Sequence, residues 1–430
     1  GGEELEDGSA PASSLRKKYE RQRTLERRTQ GHQAGPSGRQ AAGMENAAQA
    51  AARTNFRGSI STCFEPHLRS YVELEEKSLL EKVDQLVGEE SWASEDGGES
   101  GDTAVLGSAN QLFLHIKRSL QRCSSLTRST TLLELCRVFQ RALAAYAAKL
   151  AARVPAPPGA APPTEAAAGT SDWHVKFAPG EEGVVARIIN TADHCMGTAR
   201  ALGESVARLL DPSLADKVDA EGVDEDFANV VTKAHISLVL GIETRLDAGL
   251  VAMTKVNWGQ IEAVGDQSDY VGAMNAALSD AMAEAGAVMT EDHFRFLCDK
   301  LAASFVPRVY ASILRTRRIC EEGAQQLLLD VSSIKAFLLE APGMSEQHAP
   351  SASYSRSVQR EMARCENLVK VVLSPAAGLA DAFRELLPGA PPGDFQRVLE
   401  IKGLKRGEAA ALAEDLALRG GGAVGPGVGR

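Results

Sequence analysis

Several kinds of sequence signal are scarce in this chain, and each shortage excludes a class of protein. Aromatic residues make up only 5% of the 430 residues. No apolar run approaches the roughly 18 residues that a membrane-spanning helix needs. Acidic residues outnumber basic ones by 57 to 47, which gives a net charge of −10. Because a general nucleic-acid binder carries a basic excess, we expect no nucleic-acid partner.

Catalytic and ligand-binding motifs are missing as well. The seven cysteines include no CxxC pair, which argues against a disulfide framework or a zinc site and favours free thiols in the cytoplasm. The sequence has no GxxxxGK[ST], GxSxG or HExxH motif. Its one GxGxxG, from Gly420 to Gly425, lies in the terminal tail without the strand and helix that a dinucleotide site requires. We therefore predict no catalytic, cofactor-binding or metal-binding residue, and no cofactor.

An enzymatic alternative would need one of three particular side chains. Cys195, His235 or His293 would have to converge with an acid in one cleft. Cys195 follows His194, but adjacent helical residues point in different directions, so the pair does not indicate a nucleophile and its base. The position of Cys195 in an apolar helical stripe predicts a core residue. The expectation is a protein without enzymatic activity.

Composition divides the chain into low-complexity and helical stretches. Low-complexity segments bury too little apolar surface to fold, whereas apolar residues at every third or fourth position predict helices. The segments predicted in chain order are 1–54, mostly disordered with a basic helix near 14–28; 55–153, helical; 154–180, an exposed Pro/Ala-rich linker or loop; 181–290, a helical bundle; 291–418, a C-terminal helical bundle; and 419–430, a disordered Gly-rich tail.

Helical periodicity without paired strands predicts an all-α fold. The apolar stripe in 131–150 is one of the clearest, and Thr290 before two acidic residues predicts a helix start. Ser374-Pro375 predicts another start, with a capping hydroxyl before a first-turn proline. No period-2 segments joined by hairpin turns stand out. We expect an elongated rod of successive antiparallel helical bundles.

The loop 253–271 joins two strong helical segments and contains Trp258, Gly259, Gly265 and Asp266. This composition predicts a specific, ordered turn. We expect Trp258 to close the end of the bundle while its indole N–H donates to a carbonyl oxygen. The alternative is an exposed contact point for a partner.

Clustered basic residues form the candidate partner surface. Three arginines spaced four residues apart share one helical face, a second group follows in the segment FQRVLEIKGLKRG, and a third lies near one helix end. The candidate partner surface consists of the first two groups, Arg356, Arg360 and Arg364 with Arg397, Lys402, Lys405 and Arg406; the third basic group is Arg315, Arg317 and Arg318. The functional interpretation is an anionic partner: an acidic protein surface, a phosphoinositide headgroup, or both. The structural interpretation is ordinary solvated charge on helices.

Eight segments, in this order and spacing, carry a family resemblance. They are ISTCFEPHLRSYVELEEKSLLEKVDQLV (60–87), NQLFLHIKRSLQRCSSLT (110–127), VFQRALAAYAAKL (138–150), the loop 253–271, DKLAASFVPRVYASILRTRR (299–318), GAQQLLLDVSSIK (323–335), SYSRSVQREMARCENLVKVVLSP (353–375) and FQRVLEIKGLKR (395–406). Together they resemble the C-terminal half of the vacuolar protein sorting-associated protein 53 family. Because the chain also lacks an initiator Met, we expect a fragment without the family's N-terminal half.

The resemblance implies a subunit of the Golgi-associated retrograde protein complex. Such subunits are helical rods of the multisubunit tethering type and have no enzymatic activity. They tether endosome-derived vesicles at the trans-Golgi network and promote SNARE-dependent fusion. The implied partners are sister subunits, SNARE proteins and Rab GTPases, with peripheral association on trans-Golgi network and endosome membranes. The alternative is a helical membrane-surface or adaptor protein that binds anionic lipid or a Rab GTPase.

Overall fold

A computed structural model describes residues 64–92, 105–156, 173–219, 221–344 and 350–420. The chain divides into two compact units, Gly1–Cys63 and Phe64–Arg430, and all described residues lie in the second. Three predictions therefore fall wholly or mostly outside the described residues: those for 1–54, for the 154–180 linker and for the 419–430 tail.

The described part of the chain contains twelve α-helices and no strand, which confirms the all-α prediction. In chain order the helices are α1 Arg69–Gly88, α2 Gly107–Leu126, α3 Thr130–Arg153, α4 Glu181–Leu209, α5 Glu221–Lys255, α6 Asp269–Gly286, α7 Glu291–Leu314, α8 Glu321–Glu340, α9 Ala352–Leu373, α10 Leu379–Leu386, α11 Pro392–Lys402 and α12 Arg406–Gly420. None of these helices combines the length and apolar character needed to cross a membrane.

Helix α9 shows how local sequence determines these elements. The hydroxyl of Ser351 accepts a hydrogen bond from the backbone N–H of Tyr354, which satisfies one of the free donors at the start of the helix. Val358 and Met362 follow Tyr354 at intervals of four residues and are buried. The apolar face of α9 is thereby fixed toward the core, and its opposite face is left to solvent.

Most buried apolar side chains of the described residues form one continuous cluster. It runs from Val72 of α1 to Ile401 of α11 without interruption. The bundle boundaries predicted at 180/181 and 290/291 are not marked by a break in this cluster, and they stay predictions.

One predicted helix start is wrong. Helix α9 ends at Leu373, and α10 begins only at Leu379, after a short 3₁₀ turn at Ala376–Gly378. The Ser374 hydroxyl donates to the carbonyl oxygen of Lys370, 3.0 Å away. It therefore closes the preceding helix instead of capping the next one.

Two apolar side chains at the described end of the predicted exposed linker are buried. Trp173 is only 3% exposed and Val175 only 2%, and both pack against Leu240 of α5. Phe177 lies so close to Gly241 that a Cβ atom there would stand 2.4 Å from its ring. The linker prediction missed this because the flanking Pro/Ala-rich sequence dominates the composition, whereas a Trp and a Val at alternate positions bury apolar surface.

Candidate partner-binding surface

The first basic group occupies the solvent face of α9. Arg356, Arg360 and Arg364 are all exposed, opposite the buried face. Arg360 Nε lies 3.0 Å from Glu361 Oε1, and Arg364 Nη1 lies 3.6 Å from the other oxygen of the same carboxylate. Arg356 donates from Nε to the carbonyl oxygen of Ala352. One carboxylate therefore offsets part of the charge of this stripe.

Tyr310 joins the arginine stripe to neighbouring helices. The Arg364 guanidinium lies over the Tyr310 ring, 5.5 Å from its centroid, and the Tyr310 hydroxyl donates to Asp394 at 2.9 Å. Burial, and then the nearby carboxylate, raises the pKa of Tyr310, so the phenol stays a donor. This chain of contacts runs from α9 through α7 to α11.

The second basic group lies around α11, and its members differ in availability. Arg397 pairs with Glu400 at 2.7 Å, and both side chains are exposed. Lys402 donates from Nζ to the carbonyl oxygen of Val372 at 2.7 Å and is half-buried. Burial lowers the pKa of Lys402, while the charge of Glu321 opposes that shift. Lys402 thus satisfies the last turn of α9, whereas Lys405 and Arg406 are exposed.

The two groups are not one compact cluster. Arg356 lies sixteen residues before Val372, the residue that Lys402 contacts. At the helical rise this separation is about 24 Å along the axis of α9. The structure therefore places the two ends of the candidate surface apart.

The third basic group, Arg315 to Arg318, converges with the second. The backbone N–H of Ile319 donates to the carbonyl oxygen of Ile401 at 2.9 Å. Gly403, at φ +67°, ends α11 in the left-handed conformation, and a Cβ atom there would stand 2.6 Å from Nε of Arg318. Glycine is needed for both reasons. We call the joined set the C-terminal basic surface; it comprises Arg315, Arg317, Arg318, Arg397, Lys402, Lys405 and Arg406.

A cleft of about 330 Å³ opens between the two halves of this surface. We call it the basic cleft; it is lined by Leu314, Arg315, Thr316, Arg317, Arg397, Glu400 and Ile401. Arg317, Arg318, Lys405 and Arg406 form no ion pair with any carboxylate among the described residues. The local charge is therefore positive although the chain carries a net charge of −10.

The loop around Trp258 supports the turn that carries these arginines. The Trp258 indole N–H donates to the carbonyl oxygen of Met253 at 2.9 Å, and its side chain is only 1% exposed. The prediction that Trp258 closes the bundle end is confirmed. Its own carbonyl oxygen accepts from Cys320 N at 3.2 Å. The turn 315–320 is therefore held on one side by Trp258 and on the other by Ile401.

The same loop is hydrogen-bonded to α8, which confirms an ordered turn. Asp330 is fully buried and accepts hydrogen bonds from Ser268 N and from the Tyr270 hydroxyl, at 2.9 and 2.8 Å. Gln326 accepts from Gly265 N at 2.8 Å and donates to the carbonyl oxygen of Asp266 at 2.7 Å.

Two of the side chains named for the enzymatic alternative meet. His235 Nε2 lies 3.2 Å from His293 Nδ1, and Asp193 Oδ2 lies 3.9 Å from His293 Nε2. Burial and the neighbouring His293 lower the pKa of His235 to about 3. Cys195, as predicted, is a fully buried core residue, and burial raises its pKa far from that of a nucleophilic thiol. The two imidazoles pack α5 against α7, and neither lines the basic cleft.

The described residues contain no group of three or more His, Cys, Asp or Glu side chains placed to hold a metal ion.

Comparisons with known proteins agree with this architecture. A family model described as "Vacuolar protein sorting-associated protein 53 C-terminus" matches residues 325–404, which include most of the candidate surface. Vacuolar protein sorting-associated protein 53 A of Arabidopsis thaliana is 43% identical over 412 residues, covering 95% of this chain and 48% of that protein. The chain belongs to the vacuolar protein sorting-associated protein 53 family.

A second relative extends the family match. The vacuolar protein sorting-associated protein 53 homolog of Caenorhabditis elegans is 28% identical over 375 residues, which cover 83% of this chain and 46% of that protein. The chain thus spans about half the length of these two relatives.

A solved structure supports the fold of this family member. The C-terminal domain of the exocyst subunit Sec6p matches with a TM-score of 0.57 at 10% sequence identity, covering 82% of this chain and 91% of that chain. At this identity the likeness concerns the fold alone. It confirms the prediction of a helical-bundle fold, which this chain shares with that exocyst-subunit domain.

Proposed function

We propose that this chain acts as a non-enzymatic subunit of a vesicle tethering complex in retrograde transport from endosomes to the trans-Golgi network. It would promote SNARE-dependent fusion through protein–protein contacts with sister subunits, and with SNARE proteins and Rab GTPases. Its setting would be the cytoplasmic face of trans-Golgi network and endosome membranes, to which it would bind peripherally.

The observation that carries this proposal is the family match along 95% of the chain. Two further observations support it. The helical fold is similar to that of a domain from another tethering-complex subunit. The side chains named for the enzymatic alternative are used for packing, since Cys195 is buried in the core and the His235–His293 pair lies between helices.

Affinity purification tests the proposal directly. The tagged chain would be expressed in its own cells, purified in mild detergent-free buffer, and its co-purifying proteins quantified by mass spectrometry. A version extended to the full length of its relatives runs in parallel, and a tag-only sample gives the background. We expect the same small set of subunits at near-equal ratio with the extended version.

The outcomes separate assembly from surface binding. Recovery of the same subunits by both versions places assembly contacts within the 430 residues. Recovery by the extended version alone makes this chain the part that projects from the complex. If neither version enriches such a set over the tag-only sample, the tether proposal fails.

The second candidate is a membrane-surface or adaptor protein that binds anionic lipid or a Rab GTPase. The exposed and unpaired charges of Lys405 and Arg406 favour it. Flotation with anionic vesicles should weaken at high salt and disappear when Lys402, Lys405 and Arg406 are reversed to Glu. Flotation that is unchanged by high salt and by the charge reversals argues against this candidate.

A further inference from the structure

We propose that a groove on α5 and α7 binds an extended segment of a partner protein. That segment has an aromatic residue, then a histidine or basic residue, an aliphatic residue, any residue and a second aromatic residue. Residues 173–177, which we call the strap, carry this pattern and occupy the groove in this structure. The strap is therefore an internal ligand that the partner segment displaces. This inference goes beyond the tether proposal and depends on the contacts of this chain alone.

Alternate side chains seat the strap in its groove. Trp173 and Val175 are buried, whereas Lys176, between Val175 and Phe177, is exposed. This alternation is that of an extended chain, whose successive side chains point to opposite sides. The backbone N–H of Val175 donates to the Thr244 hydroxyl at 3.0 Å. The part of the chain that the structure describes contains no strand, so side chains rather than a sheet hold the strap in place.

The first half of the groove is charged. Arg308 lies over the Trp173 ring, with its Cζ 4.2 Å from the ring centroid. His174 Nε2 lies 3.4 Å from Asp247 Oδ2. Because an aromatic face attracts a guanidinium and a carboxylate attracts a cation, the groove favours an aromatic residue first and a histidine or basic residue second.

The second half of the groove is apolar. Leu240 of α5 packs against Trp173 and Val175, which gives the third position its aliphatic preference. The Phe177 ring lies against Gly241, where a Cβ atom would stand 2.4 Å from the ring. The missing side chain of Gly241 is what gives the fifth position room for an aromatic ring.

Two features make the strap replaceable. Trp173, Val175 and Leu240 form an apolar cluster that is separate from the main one, so departure of the strap leaves the buried residues of the main cluster together. Arg308 and Asp247 are only 2% and 3% exposed, and water can hydrate both charges once the Trp173 ring leaves. This hydration offsets part of the free-energy cost of opening the groove.

The experiment measures binding of a labelled strap peptide to the whole 430-residue chain. The probe is fluorescein-labelled SDWHVKFAPG, the sequence of residues 171–180. The variant W173A/V175A/F177A removes the internal ligand from the groove. Because a tethered competitor acts at an effective concentration of about 1 mM, we expect this variant to bind the probe at least about tenfold more tightly than the wild-type chain. Equal binding to both proteins overturns the proposal.

A second substitution locates the bound probe. Added to W173A/V175A/F177A, Gly241→Ala places a methyl group where the phenylalanine ring of the probe sits, and should weaken binding about tenfold. Gly222→Ala is the matched control on the same helix, because no atom lies within 4 Å of the position of its Cβ, and should leave binding unchanged. Circular dichroism and the thermal midpoint check that all variants fold.

Altered probes test the stated chemistry. Trp173→Ala in the probe removes the ring that stacks on Arg308, and His174→Asp places a carboxylate beside Asp247. Each should weaken binding to W173A/V175A/F177A about tenfold. Lys176→Gln changes an exposed position of the strap and should bind like the original probe. Equal binding of all these probes contradicts recognition of the pattern.

Hydrogen exchange of the wild-type chain keeps the test decisive if W173A/V175A/F177A does not fold. The amides of 174–177 should exchange at least about 100-fold faster than those of 238–246 in α5, because the strap opens without unfolding the helix. Mass spectrometry of peptic fragments gives both rates. Equal rates would mean that the strap leaves only when the whole chain unfolds, which overturns the proposal.

A second copy of this chain is the competing occupant of the groove. If the strap of one chain entered the groove of another, wild-type chain mixed with W173A/V175A/F177A would form a dimer. We expect sedimentation velocity to show no such dimer, and its appearance would overturn the assignment to a partner protein. Because every measurement uses the isolated chain, these outcomes are independent of whether subunits are recovered from cells.

Discussion

The backbone of Trp258 lies directly against Gly323 at the start of α8. A Cβ atom built on Gly323 would stand 2.0 Å from the carbonyl oxygen of Trp258, a contact with rigid backbone that no side-chain movement relieves. We expect Gly323→Ala to lower the free energy of unfolding by about 2 kcal/mol, as overpacked substitutions do.

Gly197 gives the matched control for that substitution. It lies inside α4 with no atom within 4 Å of the position that a Cβ would take. Gly197→Ala should raise the free energy of unfolding by about 0.5–1 kcal/mol, because alanine loses less backbone entropy in a helix. Urea denaturation of both variants checks the pair; equal effects would contradict the close packing of Trp258.

Asp330 should be the residue on which the order of the 256–268 loop depends most. In the wild-type chain the Ser268 N–H and the Tyr270 hydroxyl both donate to the Asp330 carboxylate. Asp330→Asn keeps the shape of the side chain, but its amide N–H₂ replaces one of the two accepting oxygens and faces one of these donors. We expect the free energy of unfolding to fall by about 2–3 kcal/mol, because charge-assisted hydrogen bonds in a buried site are removed.

Hydrogen exchange of the loop amides provides the readout that a general destabilisation would not. Exchange should accelerate first at Ser268 in Asp330→Asn. The exposed Asp280 supplies the control, and Asp280→Asn should leave both stability and exchange unchanged. Unchanged protection at Ser268 would count against this role of Asp330.

Arg308 is a buried cation whose removal should be costly. It is 2% exposed, bonds Asp247, lies 3.6 Å from Glu243 and stacks over the Trp173 ring at 4.2 Å. Arg308→Met would leave the carboxylates of Glu243 and Asp247 buried without the arginine. We therefore expect the free energy of unfolding to fall by about 3–5 kcal/mol.

An exposed ion pair calibrates that prediction. Arg295→Met removes an arginine that pairs with Glu291 on the solvent face of α7, and should cost only about 0.3–0.5 kcal/mol. The double variant Arg308→Met/Asp247→Asn should recover part of the loss, since one stranded charge is then neutral. Thermal unfolding compares the three variants; equal losses for the two single substitutions would contradict the burial argument.

His235 should make stability depend on pH. Its pKa is lowered to about 3 in the folded chain, whereas an unfolded histidine titrates near 6.5, so only the unfolded state binds this proton between those values. Stability contributed by the neutral imidazole is therefore lost as pH falls. Between pH 7 and pH 5 the loss should be about 2 kcal/mol.

The variant His235→Gln isolates this contribution. Its stability should fall less than that of the wild-type chain between pH 7 and pH 5, by about the same 2 kcal/mol. The exposed His67 provides the control, and His67→Gln should keep the wild-type pH profile. Parallel profiles for all three proteins would show that His235 does not control the pH dependence.

The sequence predicted the helices better than the contacts between them. Apolar spacing located α3 and α9, and the amphipathic ring of Trp258 was enough to predict its burial with a carbonyl partner. These features depend on local periodicity and on the chemistry of one side chain.

Relationships across long sequence separations were not predictable. The meeting of Arg315–Arg318 with Arg397–Arg406 depends on one backbone hydrogen bond between Ile319 and Ile401. The contact of His235 with His293 depends in the same way on how α5 packs on α7. Single-residue patterns carry no information about such pairings. Lys402, taken from its neighbours as part of a charged surface, proved to be engaged with the end of α9.

Helix α5 holds both ends of the Pro/Ala-rich stretch. On one side Ser237 donates to the carbonyl oxygen of Pro155, and on the other Val175 N donates to Thr244. These two sites on α5 are seven residues, or about 10 Å, apart. The separation of these two anchors is therefore set by α5 itself, and Trp173 and Val175 belong to the packed part of the chain. Because both anchors lie on one helix, we expect a reporter domain inserted between residues 157 and 172 to leave the packing of α5 intact.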